Sequence, residues 1–206
     1  MADQVYERLE ENILNGEYKE GDVLTEKQLA MELGVSRTPI REALSMLAYD
    51  SLVYETPQGT VVRGINAKDV EDLYAVKKKL EVDAVQKAAK NMDPEDLEAL
   101  TDVVDQQVYF AGKGQADKVR NLDTEFHDII YKGCGSLVYE NILTHVHHKL
   151  KKYRSNSLRN KSRIMQSVEE HQAILEAIKA RDSAKAGKLM TEHLQNSYKS
   201  VMASTD

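Results

Sequence analysis

The chain has 206 residues, 41% hydrophobic and 30% charged, with no Trp and only three Pro. That is room for one large or two smaller water-soluble domains, and it favours helices over a β-sandwich. The net charge of −6 weighs against indiscriminate nucleic-acid binding, and no apolar run approaches the ~20 residues needed to span a bilayer.

The N-terminus, Met1-Ala2-Asp3-Gln4-Val5, lacks the basic and apolar regions of a signal peptide. The single Cys134, between two glycines, cannot form an internal disulfide. A cytoplasmic location is expected.

Val5, Leu9 and Ile13, with Tyr6 and Leu14 beside them, recur at helical spacing up to Asn15-Gly16 and predict a first helix. Thr25 caps a second, with Gln28 in the capping-box position and Leu29, Ala30 and Leu33 on its buried face. Gly34 supplies the turn into a third helix, with Ser36 as N-cap and Pro39 tolerated in its first turn.

Arg37 and Arg41 share one face of that third helix. Cations at a helix N-terminus oppose its macrodipole, so the placement costs stability. Opposite DNA it makes sense, because arginine bonds guanine O6 and N7 bidentately or pairs with phosphate. The pattern is that of the recognition helix of a helix-turn-helix. Leu52-Val53-Tyr54-Glu55 and Thr60-Val61-Val62-Arg63 then flank Pro57-Gln58-Gly59 and predict a hairpin. Residues 1–66 therefore read as a winged helix-turn-helix DNA-binding domain.

Residues 1–66 hold 6 Lys and Arg against 12 Asp and Glu, whereas residues 67–206 hold 22 of each. Contact with DNA must then come from a few local cations, Lys27, Arg37, Arg41 and Arg63. Dimerisation, which doubles phosphate contacts and fixes half-site spacing, is expected.

Residues 67–206 show helical patterns throughout. Val70, Leu73, Val76, Leu80 and Val85 mark a first helix that Asn66 can cap and that ends near Asn91. Asp93-Pro94-Glu95-Asp96 opens a second with an N-cap, a proline at the first position and an acidic first turn. Four more are expected over 116–131, 137–153, 162–179 and 183–202. Six helices imply an antiparallel bundle, and the fold class is mainly α.

Asp123 and His127 stand four apart on the third bundle helix. His171 lies beside Ile174, Leu175 and Ile178 on the fifth, and His193 beside Leu189, Met190 and Leu194 on the sixth. Bundles build metal sites from inward side chains on several helices. Three imidazoles and a carboxylate suit Zn²⁺, Ni²⁺ or Mn²⁺ and leave positions open for water or a carboxylate ligand. Hydrogen-bonded core histidines would leave the same pattern, and spacing does not separate the two. His145, His147 and His148 form a rival cluster, but Lys149, Lys151, Lys152 and Arg154 follow at once. That run reads as a solvated or nucleic-acid-facing surface, with His145 and His147 on it.

The stretch Leu29-Ala30…Leu33-Gly34-Val35-Ser36-Arg37-Thr38-Pro39-Ile40-Arg41-Glu42-Ala43-Leu44 closely resembles the GntR family of bacterial transcription regulators. The remainder, with Asp123-Thr124-Glu125-Phe126-His127, Glu170-His171 and His193-Leu194, is similar to the FCD effector-binding and dimerisation domain of the FadR branch. Six bundle helices point to its shorter, VanR-like subgroup.

The resemblance implies DNA contacts at Lys27, Arg37, Thr38, Arg41 and the wing-tip Gly59. It implies metal ligands at Asp123, His127, His171 and His193, with a small organic acid bound beside the metal. Three positions depart from the family pattern: Glu20 where proline is common, Gln58 where the wing carries a basic residue, and Lys77 where arginine is usual. An arginine would grip an effector carboxylate bidentately, whereas Lys77 offers a point charge.

The resulting expectation is a homodimeric, ligand-responsive repressor of a palindromic operator. The alternatives are a metal-dependent enzyme built on the Asp/His site and a regulator that senses the metal itself. The fused DNA-binding head, and the lack of an evident general base beside the ligands, weigh against an enzyme.

Overall fold

The computed structural model describes residues 1–151 and 160–203. The chain divides into two compact units, Met1–Asn66 and Ala67–Asp206.

In the first unit, α1 (Ala2–Asn15) buries Val5, Leu9 and Ile13 and stops at Gly16, whose left-handed φ of 80° turns its N–H back onto the last turn. A two-residue strand, β1 (Val23–Leu24), precedes α2 (Glu26–Leu33). Thr25 Oγ1 accepts from Gln28 N at 3.3 Å, the expected cap of α2. Gly34, again left-handed, leads into α3 (Arg37–Tyr49), which buries Ile40, Ala43, Leu44 and Leu47. Ser36 occupies the N-cap position of α3, but its hydroxyl makes no capping hydrogen bond.

The hairpin consists of β2 (Val53–Thr56) and β3 (Gly59–Val62), joined by Pro57-Gln58. Val53 pairs with Val62 and Thr56 with Gly59. The sheet has a third strand, because β1 pairs antiparallel with β3 in the order β1-β3-β2. Two residues are too short to carry an alternating pattern, so sequence gave no sign of it. Leu9, Leu29, Ile40, Leu47 and Leu52 fill the core of this unit.

The second unit contains α4 (Ala67–Asn91), α5 (Pro94–Gly112), α6 (Ala116–Gly133), α7 (Leu137–Lys149), α8 (Lys161–Lys179) and α9 (Ser183–Met202). These six, among the described residues, pack as a bundle. Asp93 caps α5 by accepting from Asp96 N at 2.8 Å, and Pro94 opens it. The fourth bundle helix was expected to reach Tyr153. Residues 152–159, with Lys152 and Arg154 of the basic run, lie outside the described residues.

Ala84, Val85, Ala88, Leu100, Phe126, Ile130, Leu143, Ile174, Ile178 and Met190 form the bundle core. Small residues on α4 and α9 let these helices approach: a Cβ on Gly187 would fall 2.5 Å from the Gln86 amide nitrogen. Among the described residues, no helix is long and apolar enough to cross a membrane.

Candidate metal centre and nucleic-acid interface

Three helices of the bundle deliver one buried histidine each: His127 from α6, His171 from α8 and His193 from α9. One ring nitrogen from each lies within 4.8 Å of the other two. The periodicity that buries Phe126 and Ile130 also turns His127 inward, and the apolar faces of α8 and α9 do the same for His171 and His193. Asp123, one turn before His127, is buried with its Oδ1 3.8 Å from His171 Nε2.

Each imidazole is held from behind by an acceptor on its Nδ1. His171 Nδ1 meets Gln107 Oε1 at 2.8 Å, and His193 Nδ1 meets Glu170 Oε2 at 2.8 Å. His127 Nδ1 meets the Glu81 carboxylate. Gln107 has its orientation fixed because its Nε2 donates to the Leu122 carbonyl at 2.9 Å, so its oxygen faces His171. Acceptors at all three Nδ1 positions call for the proton there and leave the Nε2 lone pairs for the centre. This is how protein surroundings prepare histidines for a metal.

Whether the residues fit a cation is tested by His171. Its Nε2 is buried, lacks a hydrogen-bond partner among the described residues and faces the Asp123 carboxylate. A lone pair opposite a carboxylate calls for a proton or a metal ion between them. Burial, then the charges of His193, His127, Arg163 and Lys77, drive the His171 pKa well below its ordinary value, so the proton is disfavoured. Burial also lowers His127, to about 4, although Glu81 opposes the shift. Three converging imidazoles and one carboxylate fit a divalent cation.

Lys77 does not stand open to solvent as a point charge. It is 1% exposed, and its ammonium pairs with Glu81, which also holds His127. Burial works against the Glu81 charge, but Lys77 and His127 outweigh it and keep the carboxyl well below its usual range. Lys78 and Lys79 are exposed.

A matching chain runs on the other side. Arg163, on α8, donates from NH1 and NH2 to Glu170 Oε2, both at 3.0 Å, and Asn196 donates to Glu170 Oε1 at 2.8 Å. Two cation–carboxylate–histidine chains, one buried and one partly buried, therefore converge on the centre. Sequence reasoning gave no role to Glu81, Gln107, Glu170 or Arg163. A charged residue at the apolar spacing of a helix was the signal available for Glu81, four residues after Lys77.

The surface assignment of His147 is corrected. It is fully buried, its ring lies 4.6 Å from that of His127, and its Nδ1 is 3.3 Å from the Tyr131 hydroxyl. Leu143, Val146 and Leu150 are buried on the same face of α7 and its end, so His147 follows the core stripe. The basic run after it obscured that periodicity. His145 and His148 are exposed.

In the first unit, Lys27, Arg37, Thr38 and Arg41 are exposed around the start of α3. Arg41 forms a bidentate pair with Glu26 of α2, Nε to Oε1 at 2.7 Å and NH2 to Oε2 at 2.9 Å. Arg63 is engaged with its own loop, donating to the carbonyls of Ser51 and Gly64. Gly59 is needed by the sheet itself. Its φ is 142°, and a Cβ there would fall 2.9 Å from the Leu24 carbonyl.

The family model for the FCD domain matches residues 72–196, and that for bacterial regulatory proteins of the gntR family matches residues 1–62. The chain belongs to the GntR-type transcriptional regulators that carry an FCD domain. Among its relatives is an uncharacterized HTH-type transcriptional regulator, YdhC, of Bacillus subtilis, 29% identical over 94% of this chain and 87% of that one. The gluconate operon transcriptional repressor of the same organism is 25% identical over 92% of this chain and 78% of its own. The solved structure of McbR/YncC from E. coli superposes with a TM-score of 0.81 at 23% identity, covering 100% of this chain and 98% of the other. That likeness shows the fold. The family and the relatives are regulators of transcription, and the chain is not an enzyme.

Proposed function

We propose that this regulator is a homodimeric repressor whose grip on a palindromic operator is set by a small carboxylate bound at a metal in its bundle. Arg37, Thr38 and Arg41 would read bases, Lys27 would pair with phosphate, and the backbone at Gly59 would lie against the duplex. Asp123, His127, His171 and His193 would hold the metal. Four ligands leave positions that two carboxylate oxygens could take on Zn²⁺, Ni²⁺ or Mn²⁺. When bound, the metal supplies a Lewis-acidic point for an anion.

The observation that carries this reading is His171 Nε2, buried without a hydrogen-bond partner among the described residues and 3.8 Å from Asp123 Oδ1. The name of the gluconate operon repressor supports a sugar-acid type of effector. Lys77 would act on the effector through the field of the Lys77–Glu81 pair. The ligand must favour one arrangement of the dimer for DNA binding to change.

Metal content of the purified protein, measured for the unaltered chain and for His171→Ala and His193→Ala, tests the site. Full occupancy in both variants would rule out this ligand set. A thermal-shift screen of organic acids on metal-loaded protein then tests the effector, since binding to the native state raises its stability. Operator binding with and without a chelator separates a sensed metal from a resident one.

A further inference from the structure

We propose that Glu26 is a positioning residue for Arg41, so that α2 and α3 together present one defined guanidinium edge to a base pair. This rests on the reading that the N-terminal end of α3 faces DNA.

Glu26 is the first residue of α2, and Arg41 lies in the second turn of α3. A guanidinium carries five N–H donors in a planar fork. The contacts to Glu26 Oε1 and Oε2, at 2.7 and 2.9 Å, take Nε and one hydrogen of NH2. The other edge, formed by NH1 and the remaining hydrogen of NH2, keeps the geometry that matches guanine O6 and N7. Arg41 is the more exposed partner, with 69% of its side chain accessible against 31% for Glu26. The carboxylate thus holds the arginine from its less exposed side and leaves it turned to solvent.

Two consequences follow for recognition. A long, flexible side chain is restricted before it meets DNA, which lowers the ordering cost of the base contact. The carboxylate also places negative charge beside the arginine, and Arg37 lies within its electrostatic reach. Phosphates anywhere on a duplex are then attracted less, while a base presenting two acceptors is still bonded. Discrimination rises at the expense of general affinity. The acidity of the whole unit, 12 carboxylates against 6 cations over residues 1–66, acts in the same direction.

The test uses a duplex selected from a randomised pool by the unaltered full-length protein, and a shuffled duplex of equal length. Both are titrated at one salt concentration with the unaltered protein, Glu26→Gln, Glu26→Ala, Arg41→Ala and the Glu26→Gln/Arg41→Ala double variant. Melting temperatures guard against loss of the Glu26 contribution to the helix dipole. Both Glu26 variants should bind the shuffled duplex at least as tightly as before, while the ratio of selected to shuffled affinity falls about tenfold. The double variant should discriminate no worse than Arg41→Ala alone.

If Glu26→Gln keeps the full ratio while Arg41→Ala loses it, the positioning role is overturned and the DNA face stands. Additive losses in the double variant overturn it too, since Glu26 would then act apart from Arg41. If Arg41→Ala itself keeps the full ratio, it is the DNA reading that fails.

Discussion

A histidine can hold a metal only through a nitrogen without a proton, so the atom behind the ring matters as much as the ring. In this bundle Glu81, Gln107 and Glu170 occupy those positions for His127, His171 and His193. Replacing Gln107 by Ala should free the tautomer of His171 and weaken metal binding by about 10- to 100-fold, read by competition with a coloured chelator. Replacing Lys77 by Met should lower the melting temperature of the bundle, because Glu81 then keeps a buried charge with its ammonium partner gone. Lys77→Arg should recover much of the loss. If Lys77→Met left metal affinity unchanged but abolished the response to organic acids, Lys77 would touch the effector directly.

Elements decide how such residues are presented. The apolar period of 3.6 along α6, α8 and α9 places the three histidines inward and was readable in the chain. Caps at Thr25 and Asp93 are equally local, since each bonds an N–H three residues on. β1 was not readable, because a two-residue strand exists only by virtue of its partner β3. That pairing explains Gly59: Gly59→Ala should lower stability by roughly 1–3 kcal/mol, from a strained φ and a clash with the Leu24 carbonyl. Thermal unfolding of the variant checks it. An unshifted melting temperature would mean that the sheet relaxes without cost.

At the scale of the whole molecule, site and stability are linked through protons. Folded His127 titrates at about 4 against an ordinary 6.5, so the unfolded chain takes a proton that the folded bundle refuses. Below about 6.5 the unfolded state binds more protons, and stability must fall as pH drops from there towards 4. Chelator-treated protein should therefore melt progressively lower across that window and show no further loss from this group below it. Adding Zn²⁺, Ni²⁺ or Mn²⁺ at neutral pH should raise the melting temperature in proportion to the logarithm of free metal. A melting curve indifferent to all three metals would count against the centre.

By itself the sequence determined the helices of both units, the hairpin, the arginines at the start of α3 and the family. All of these rest on contacts within a few residues, where period and turn chemistry are written directly. Tertiary structure decided which ring nitrogens face one another, what stands behind them, that Lys77 pairs with Glu81, that His147 is buried and that Glu26 takes hold of Arg41. Those contacts join helices far apart in the chain, or depend on which face a neighbour covers. No local spacing encodes them, because a hydrogen-bonded core histidine and a metal ligand obey the same helical period until the helices meet.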